Sequence, residues 1–322
     1  MCMHAEPLNS KKSKRILLPA AAVVILMLVL IRSIQRQGKL LLFRYNLGFS
    51  IEEAGILYDF QTVMLLLVSL FVFTAIFFLI LPPPNRQPDY ERFFALTALA
   101  LGLIYLFVIT PLSVPDESTH YLAISELTNR LFGMPDTAYA LNHSGFSNHN
   151  NVCTGYLRII RDLFGRDSSP NVIQSNLMSY MWTLVYPLEY APQVLGFAIS
   201  RLLSFNDVTT FMMGRFFNLL FYVVCLYISV KRVPRFKLLF GLSGILPMAM
   251  QQAASLSYDT FINALSLVLL SSLLREIFSE GALTLCDLLY IFTPALLLAP
   301  AKGIYALFIL LFIFIPKERF TG

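Results

Sequence analysis

Apolar residues in this chain come in long unbroken runs: Ile16 to Ile31, Val63 to Leu81, Phe93 to Leu112, Val208 to Val230, Leu238 to Ala254, Phe261 to Leu274, Leu285 to Ala299 and Ile304 to Ile315. A helical run of ~20 residues spans the hydrocarbon of a bilayer, and in lipid a helix satisfies its backbone polar groups without help from a neighbouring strand. The runs therefore predict an all-α, polytopic bundle of about eight transmembrane helices, with no place for strands. Composition supports this. Of 322 residues 57% are hydrophobic and 13% charged, about half the charged share of a soluble domain, so a water-soluble core cannot absorb the apolar surface.

The net charge of +5 does not point to nucleic acid, because the basic residues flank the apolar runs. Lys11 to Arg15, Arg86 with Arg92, Lys231 to Lys237, Arg275, and Lys317 with Arg319 all fall on one side if every run crosses once. That side is expected to be cytoplasmic and to hold both termini. Arg32, Arg36, Lys39 and Arg44 break the pattern after the first run. The first run has the layout of a signal peptide but no small-residue cleavage site, and reads as an uncleaved anchor. Cys2, Cys153, Cys225 and Cys286 form no disulfide framework and no zinc spacing.

Three regions follow: membrane helices over 1–112, a large extracytoplasmic segment over 113–207, and a membrane bundle over 208–322. In the middle region Tyr121, Ile124, Leu127 and Leu131 recur at helical spacing, as do Ile173, Leu177, Met181 and Leu184. Two amphipathic helices on the membrane surface are expected, with Tyr180, Trp182 and Tyr186 at the boundary. The Asn-, Ser- and Gly-rich stretch between them, 136–176, reads as a long loop.

Chemistry concentrates just beyond the third run, at Pro115-Asp116-Glu117-Ser118-Thr119-His120. Proline followed by acids is a helix-start signal, and a helix beginning there puts His120 within one turn of both carboxylates. The residues suit a general base with a metal or hydroxyl ligand; the plainer reading is capping, with acids favouring the helix dipole. Arg215 lies about a third of the way into an apolar run, where a charge demands a cavity or a partner. Asp259 and Lys302, near Tyr258 and Tyr305, fall at outer ends of further runs, and one shared cavity is expected for all these groups. His143, His149 and Cys153 match no ordinary metal spacing. No phosphate-binding glycine loop, nucleotide fingerprint or nucleophile elbow occurs, which argues against a cytoplasmic ATP-driven engine.

Several stretches taken in order resemble a bacterial family of membrane proteins, the domain-of-unknown-function 2142 family. They are Pro115-Asp116-Glu117 with His120, Tyr186 to Gly196, Gly214-Arg215-Phe216-Phe217-Asn218, Leu246-Pro247-Met248, Ala254 to Asp259, and Ala301 to Tyr305. The likeness runs over about 111–316. That family is similar in organisation to GT-C membrane glycosyltransferases. The resemblance implies a GT-C-like bundle that moves a sugar from a polyprenyl-phosphate donor to an envelope glycan, lipid or protein. Asp116, Glu117 and His120 would then be catalytic, one carboxylate taking the acceptor's proton or, with its neighbour, holding a divalent metal such as Mg or Mn. Arg215 and Lys302 would meet the donor phosphate, and Tyr190, Asp259 and Tyr305 would line the pocket. Ser118-Thr119 and Gly303 depart from the family's usual residues, and relatives continue through more spans, so the chain is expected to be C-terminally truncated. A transporter or flippase of envelope precursors, or a non-catalytic scaffold, are the alternatives.

Overall fold

The computed structural model describes residues 89–109, 111–133, 137–139, 163–165, 172–174, 187–301 and 303–320. All lie in one compact unit, Gln87–Gly322; a second unit, Met1–Arg86, falls outside the described residues with the first two expected spans. Eight α-helices are described: α1 (Tyr90–Val108), α2 (Glu117–Leu131), α3 (Ala191–Leu202), α4 (Asp207–Arg232), α5 (Lys237–Gly244), α6 (Pro247–Ala253), α7 (Asp259–Phe278) and α8 (Leu285–Leu298). Three of them, α1, α4 and α7, are long and apolar enough to cross a membrane, and α8 is a shorter apolar helix. The chain is a membrane protein with several such helices.

Hydrogen bonds fix which ends lie together. At one end, Lys237 pairs with Glu91 at 3.3 Å, joining the start of α5 to the start of α1. Nearby in sequence, Arg232 at the end of α4 reaches Asp287 of α8 at 3.1 Å and the Ser272 hydroxyl of α7 at 3.1 Å. Arg319 joins the same cluster through Glu276 and donates to the Glu280 and Gly281 carbonyls. Thus the basic residues that flank several runs gather at one end of the bundle. At the other end, Arg215 of α4 donates to the Ile109 carbonyl beyond α1 at 2.5 Å, and Asn218 to the Thr260 hydroxyl of α7 at 2.9 Å. Helices α1 and α7 are ~28 and ~30 Å long, whereas α4 at ~39 Å begins about two turns before Arg215. Cysteines placed at exposed Arg235 and exposed Ser118 are expected to be labelled from opposite sides of the membrane. Labelling of both by a membrane-impermeant reagent in intact cells would contradict this arrangement.

Two expectations are refined here and one corrected. The run Leu238 to Ala254 is not one helix: it divides into α5 and α6 at Leu246, which is extended (φ −57°, ψ 142°), with Pro247 opening α6. Proline has no N–H and excludes the helical conformation from the residue before it, so the apolar run is interrupted without losing its hydrophobicity. Tyr222 closes the gap by donating its hydroxyl to the Gly244 carbonyl at 2.8 Å. The last run is a 3₁₀ stretch, Gly303–Phe314. The helix expected from Ile173 is overturned at its start. Val172–Gln174 is a strand paired antiparallel with Thr137–Tyr139, Ile173 opposite Ala138, so strands do occur; residues 175–186 lie outside the described part. The helix expected from Tyr121 exists as α2, and much of it is buried in protein. Tyr121, Ala123, Ile124, Ser125, Glu126, Thr128 and Asn129 are all buried, and α2 packs on α3.

Helices α3 and α4 form an antiparallel hairpin. Ser200 and Thr210 share a 2.7 Å hydrogen bond, and Asn206 caps α4 by accepting from the Thr209 N–H at 2.9 Å. The contact is close because Gly196 has no side chain: a Cβ there would lie 2.5 Å from the Met213 carbonyl oxygen. Gly196→Ala is expected to lower stability by about 1–3 kcal/mol, the usual cost of overpacking. Thermal unfolding in detergent measures it, and an unchanged midpoint would mean the helices separate freely.

A candidate site at the Asp116 end of the bundle

Glu117 opens α2 and is buried at 1% exposure. Its carboxylate faces Arg215, whose side chain is wholly buried, in a two-pronged pair: Nε to Oε1 at 2.8 Å and Nη2 to Oε2 at 2.6 Å. Each oxygen takes one more bond, from the Leu112 N–H at 2.9 Å and from the Leu256 N–H at 3.1 Å. Arg215 also donates through Nη1 to the Ile109 carbonyl. Two charges removed from water are tolerable only when every remaining polar atom finds a partner, and here the pair does so while tying four chain segments together. These segments are the connector after α1, the start of α2, α4, and the loop before α7.

That loop, 254–258, is held from several sides. Gln193 of α3 donates to the Ser257 carbonyl at 3.2 Å, and Asn218 of α4 donates to the Ser255 and Ser257 carbonyls at 2.8 and 3.2 Å. Thr260 passes a bond on to the Gln252 carbonyl at 2.8 Å. The irregular backbone between α6 and α7 thereby finds partners inside the protein, as buried backbone groups require. None of Gln193, Asn218 and Thr260 stood out in the sequence as a functional group. Gln193 and Asn218 sit inside two stretches that carry the family likeness, Tyr186 to Gly196 and Gly214 to Asn218, and Thr260 directly follows a third, Ala254 to Asp259. Their role there is to interlock.

Asp116 differs from its neighbour in every respect. Its backbone is left-handed (φ 58°, ψ 6°), it occupies the position before the first helical residue, and its side chain makes no capping hydrogen bond. The carboxylate is exposed. Left-handed geometry is uncommon for residues other than glycine, Asp and Asn tolerating it best, and strain of this kind persists where the surroundings enforce it. The residue that follows, Glu117, is held in place by Arg215 and two backbone N–H groups. Capping, one of the two readings open from sequence, is thus not what Asp116 does.

His120, one turn on, is buried and shares a 2.7 Å hydrogen bond through Nδ1 with the Tyr190 hydroxyl. Tyr258 stands edge-on to both rings, 5.3 Å from His120 and 5.8 Å from Tyr190 between centroids. Asp259 is half-buried at the first position of α7, its N–H donating to the Ser257 hydroxyl at 3.2 Å. Of the expected site residues, Asp116, Glu117, His120, Tyr190, Arg215 and Asp259 are thus at one end of the bundle. Lys302, the Tyr305 side chain, His143, His149 and Cys153 lie outside the described residues.

Arg215, expected at a donor phosphate, spends its guanidinium on Glu117. For the same reason the Asp116–Glu117 pair is a poor metal-binding set: both Glu117 oxygens already face a cation and backbone N–H groups. Among the described residues no three His, Cys, Asp or Glu side chains converge as ligands.

Residues 165–322 match the family model described as a predicted membrane protein (DUF2142). The match takes in α3 and everything after it, including Gln193, Arg215, Asn218 and the 254–258 loop, and begins beyond the acidic stretch at Asp116. No curated protein and no solved structure matches the chain.

Proposed function

We propose that the protein is a GT-C-like membrane glycosyltransferase of the bacterial inner membrane. It moves a sugar from a polyprenyl-phosphate donor to an envelope glycan, lipid or protein at the Asp116 end, which faces away from the cytoplasm. The observation that carries this reading is the contrast within one dipeptide. Glu117 is fully engaged as an anchor, while Asp116 beside it is exposed, without a capping bond, and held in a left-handed conformation. A carboxylate so presented is suited to general-base work.

In the proposed step the Asp116 carboxylate accepts the proton of the acceptor hydroxyl as that oxygen bonds to the anomeric carbon. The bond from that carbon to the phosphate oxygen breaks, and polyprenyl phosphate leaves with the electron pair. Lys302 is the proposed cation for the departing phosphate, because charge developing there needs a positive group. Arg215 and Glu117 act as positioning residues. Tyr190 and Tyr258 hold His120 one turn behind Asp116, and Asp259 lies at the same end of the bundle. No step is routed through a metal.

A transporter of envelope precursors is favoured by one observation, the broken helix α5–α6 with its unwound loop, a feature of membrane transporters near their substrate sites. Purified protein in lipid nanodiscs, given a panel of radiolabelled polyprenyl-phosphate sugars with envelope acceptors, separates the two. Labelled acceptor is the expected product. Uptake of a precursor into sealed vesicles, without any transfer, would put the transporter ahead.

A further inference from the structure

We infer that α3 and the 3₁₀ turn before it, Pro187–Tyr190, lie within the lipid leaflet at the Asp116 end, their outward face packed by acyl chains. The outward face of this segment is apolar although its inner face also buries Phe197 and Ala198. Leu188, Leu195 and Leu202 are 56%, 51% and 71% exposed and recur every seven residues, so they form one outward stripe. Gln193 and Ser200 face inward and are wholly buried. In water this arrangement would forgo roughly 1.5–3 kcal/mol for each leucine left uncovered. It would also desolvate two polar side chains that an aqueous surface accommodates freely. In lipid both features are what is required: apolar groups outward, polar groups satisfied within.

The apolar spans of the same molecule show the same pattern. Helix α4 exposes Val224 while burying Arg215 and Asn218, and α7 buries Ser271 and Ser272. The stripe on α3 stands alongside α4, since Ser200 meets Thr210, Gly196 meets Met213, and Gln193 and Asn218 share the Ser257 carbonyl. It therefore lies level with the first half of α4, whose helix runs unbroken from Asp207 and keeps Thr209, Thr210, Arg215 and Asn218 buried. The polar groups Arg201, Asn206 and Asp207 cluster at the hairpin's turn, at headgroup level. Lipid contact at α3 holds whether or not the chain transfers sugar.

The test uses the full chain, with its native cysteines replaced, in lipid nanodiscs. Single cysteines at Leu188, Leu195 and Leu202 carry a nitroxide, with Val224 as the lipid-facing control and Ser118 as the water-facing one. Relaxation by oxygen, which partitions into lipid, is compared with relaxation by a nickel chelate, which stays in water. All three α3 labels are expected to follow Val224, with oxygen accessibility severalfold above that of the chelate. Chelate accessibility like that of Ser118 would place the stripe in water and overturn the inference. Shielding from both reagents would overturn it equally, because protein rather than lipid would then cover the face.

Discussion

Glu117→Ala is expected to destabilise the protein by about 3–5 kcal/mol, the usual cost of leaving a buried charge without its partner. The substitution strands the Arg215 guanidinium in a site with no exposure and removes the acceptor from the Leu112 and Leu256 N–H groups. Arg215→Ala should cost a similar amount, since it leaves the carboxylate buried and the Ile109 carbonyl without its donor. Replacing both together, Glu117→Leu with Arg215→Met, is expected to recover part of the loss, because no uncompensated charge remains. Recovery stays incomplete because the two N–H groups still lack an acceptor, at roughly 1–3 kcal/mol each. Thermal unfolding of the detergent-solubilised variants measures all three. Single variants that melt with the wild type would show that the pair is incidental to the fold.

Asp116→Asn is expected to abolish function in cells while leaving the fold intact. The amide keeps the size and the tolerance for left-handed backbone but removes the negative charge, and the lost base should cost about a hundredfold or more in rate. Stability should barely change, because the Asp116 side chain is exposed and caps nothing. Complementation of a strain lacking the gene, with membrane levels of the protein measured in parallel, reads the effect. His143→Ala and His149→Ala serve as neutral comparisons. Full complementation by Asp116→Asn would remove the catalytic role and leave the scaffold reading ahead.

Much of the bundle was legible because lipid imposes a simple rule on sequence. Helices α1, α4, α7 and α8 lie close to the apolar runs that predicted them, and the basic residues flanking several runs meet at one end through Arg232, Arg319 and Lys237. The start of α2 followed from Pro115 and its acids. The break at Leu246-Pro247 was visible as a proline, yet uniform hydrophobicity hid its effect. The strand at Val172–Gln174 was illegible because three residues carry too little periodicity to separate it from a helix.

The site was half legible. Arg215 had to have a partner, because a charge among apolar residues always does, but no spacing rule joins it to an acid 98 positions away. Both carboxylates therefore read as chemical, when one is an anchor. The buried cluster of Arg232, Glu276, Asp287 and Arg319 escaped for a related reason. Read singly, Arg232, Arg275 and Arg319 were flanking charges that signal orientation, and only the fold reveals that all three meet the buried acids Glu276 and Asp287 at one end of the bundle.

The most direct measurement compares wild type, Asp116→Asn and Glu117→Gln in one nanodisc preparation, recording both the initial rate of sugar transfer from a labelled polyprenyl-phosphate donor and the melting curve. Wild type should transfer. Asp116→Asn should lose roughly a hundredfold or more of that rate at an unchanged midpoint, whereas Glu117→Gln should melt earlier because a neutral amide replaces the partner of Arg215. Transfer by Asp116→Asn at the wild-type rate, or a Glu117→Gln variant of full stability and no activity, would contradict the division of labour between the two acids.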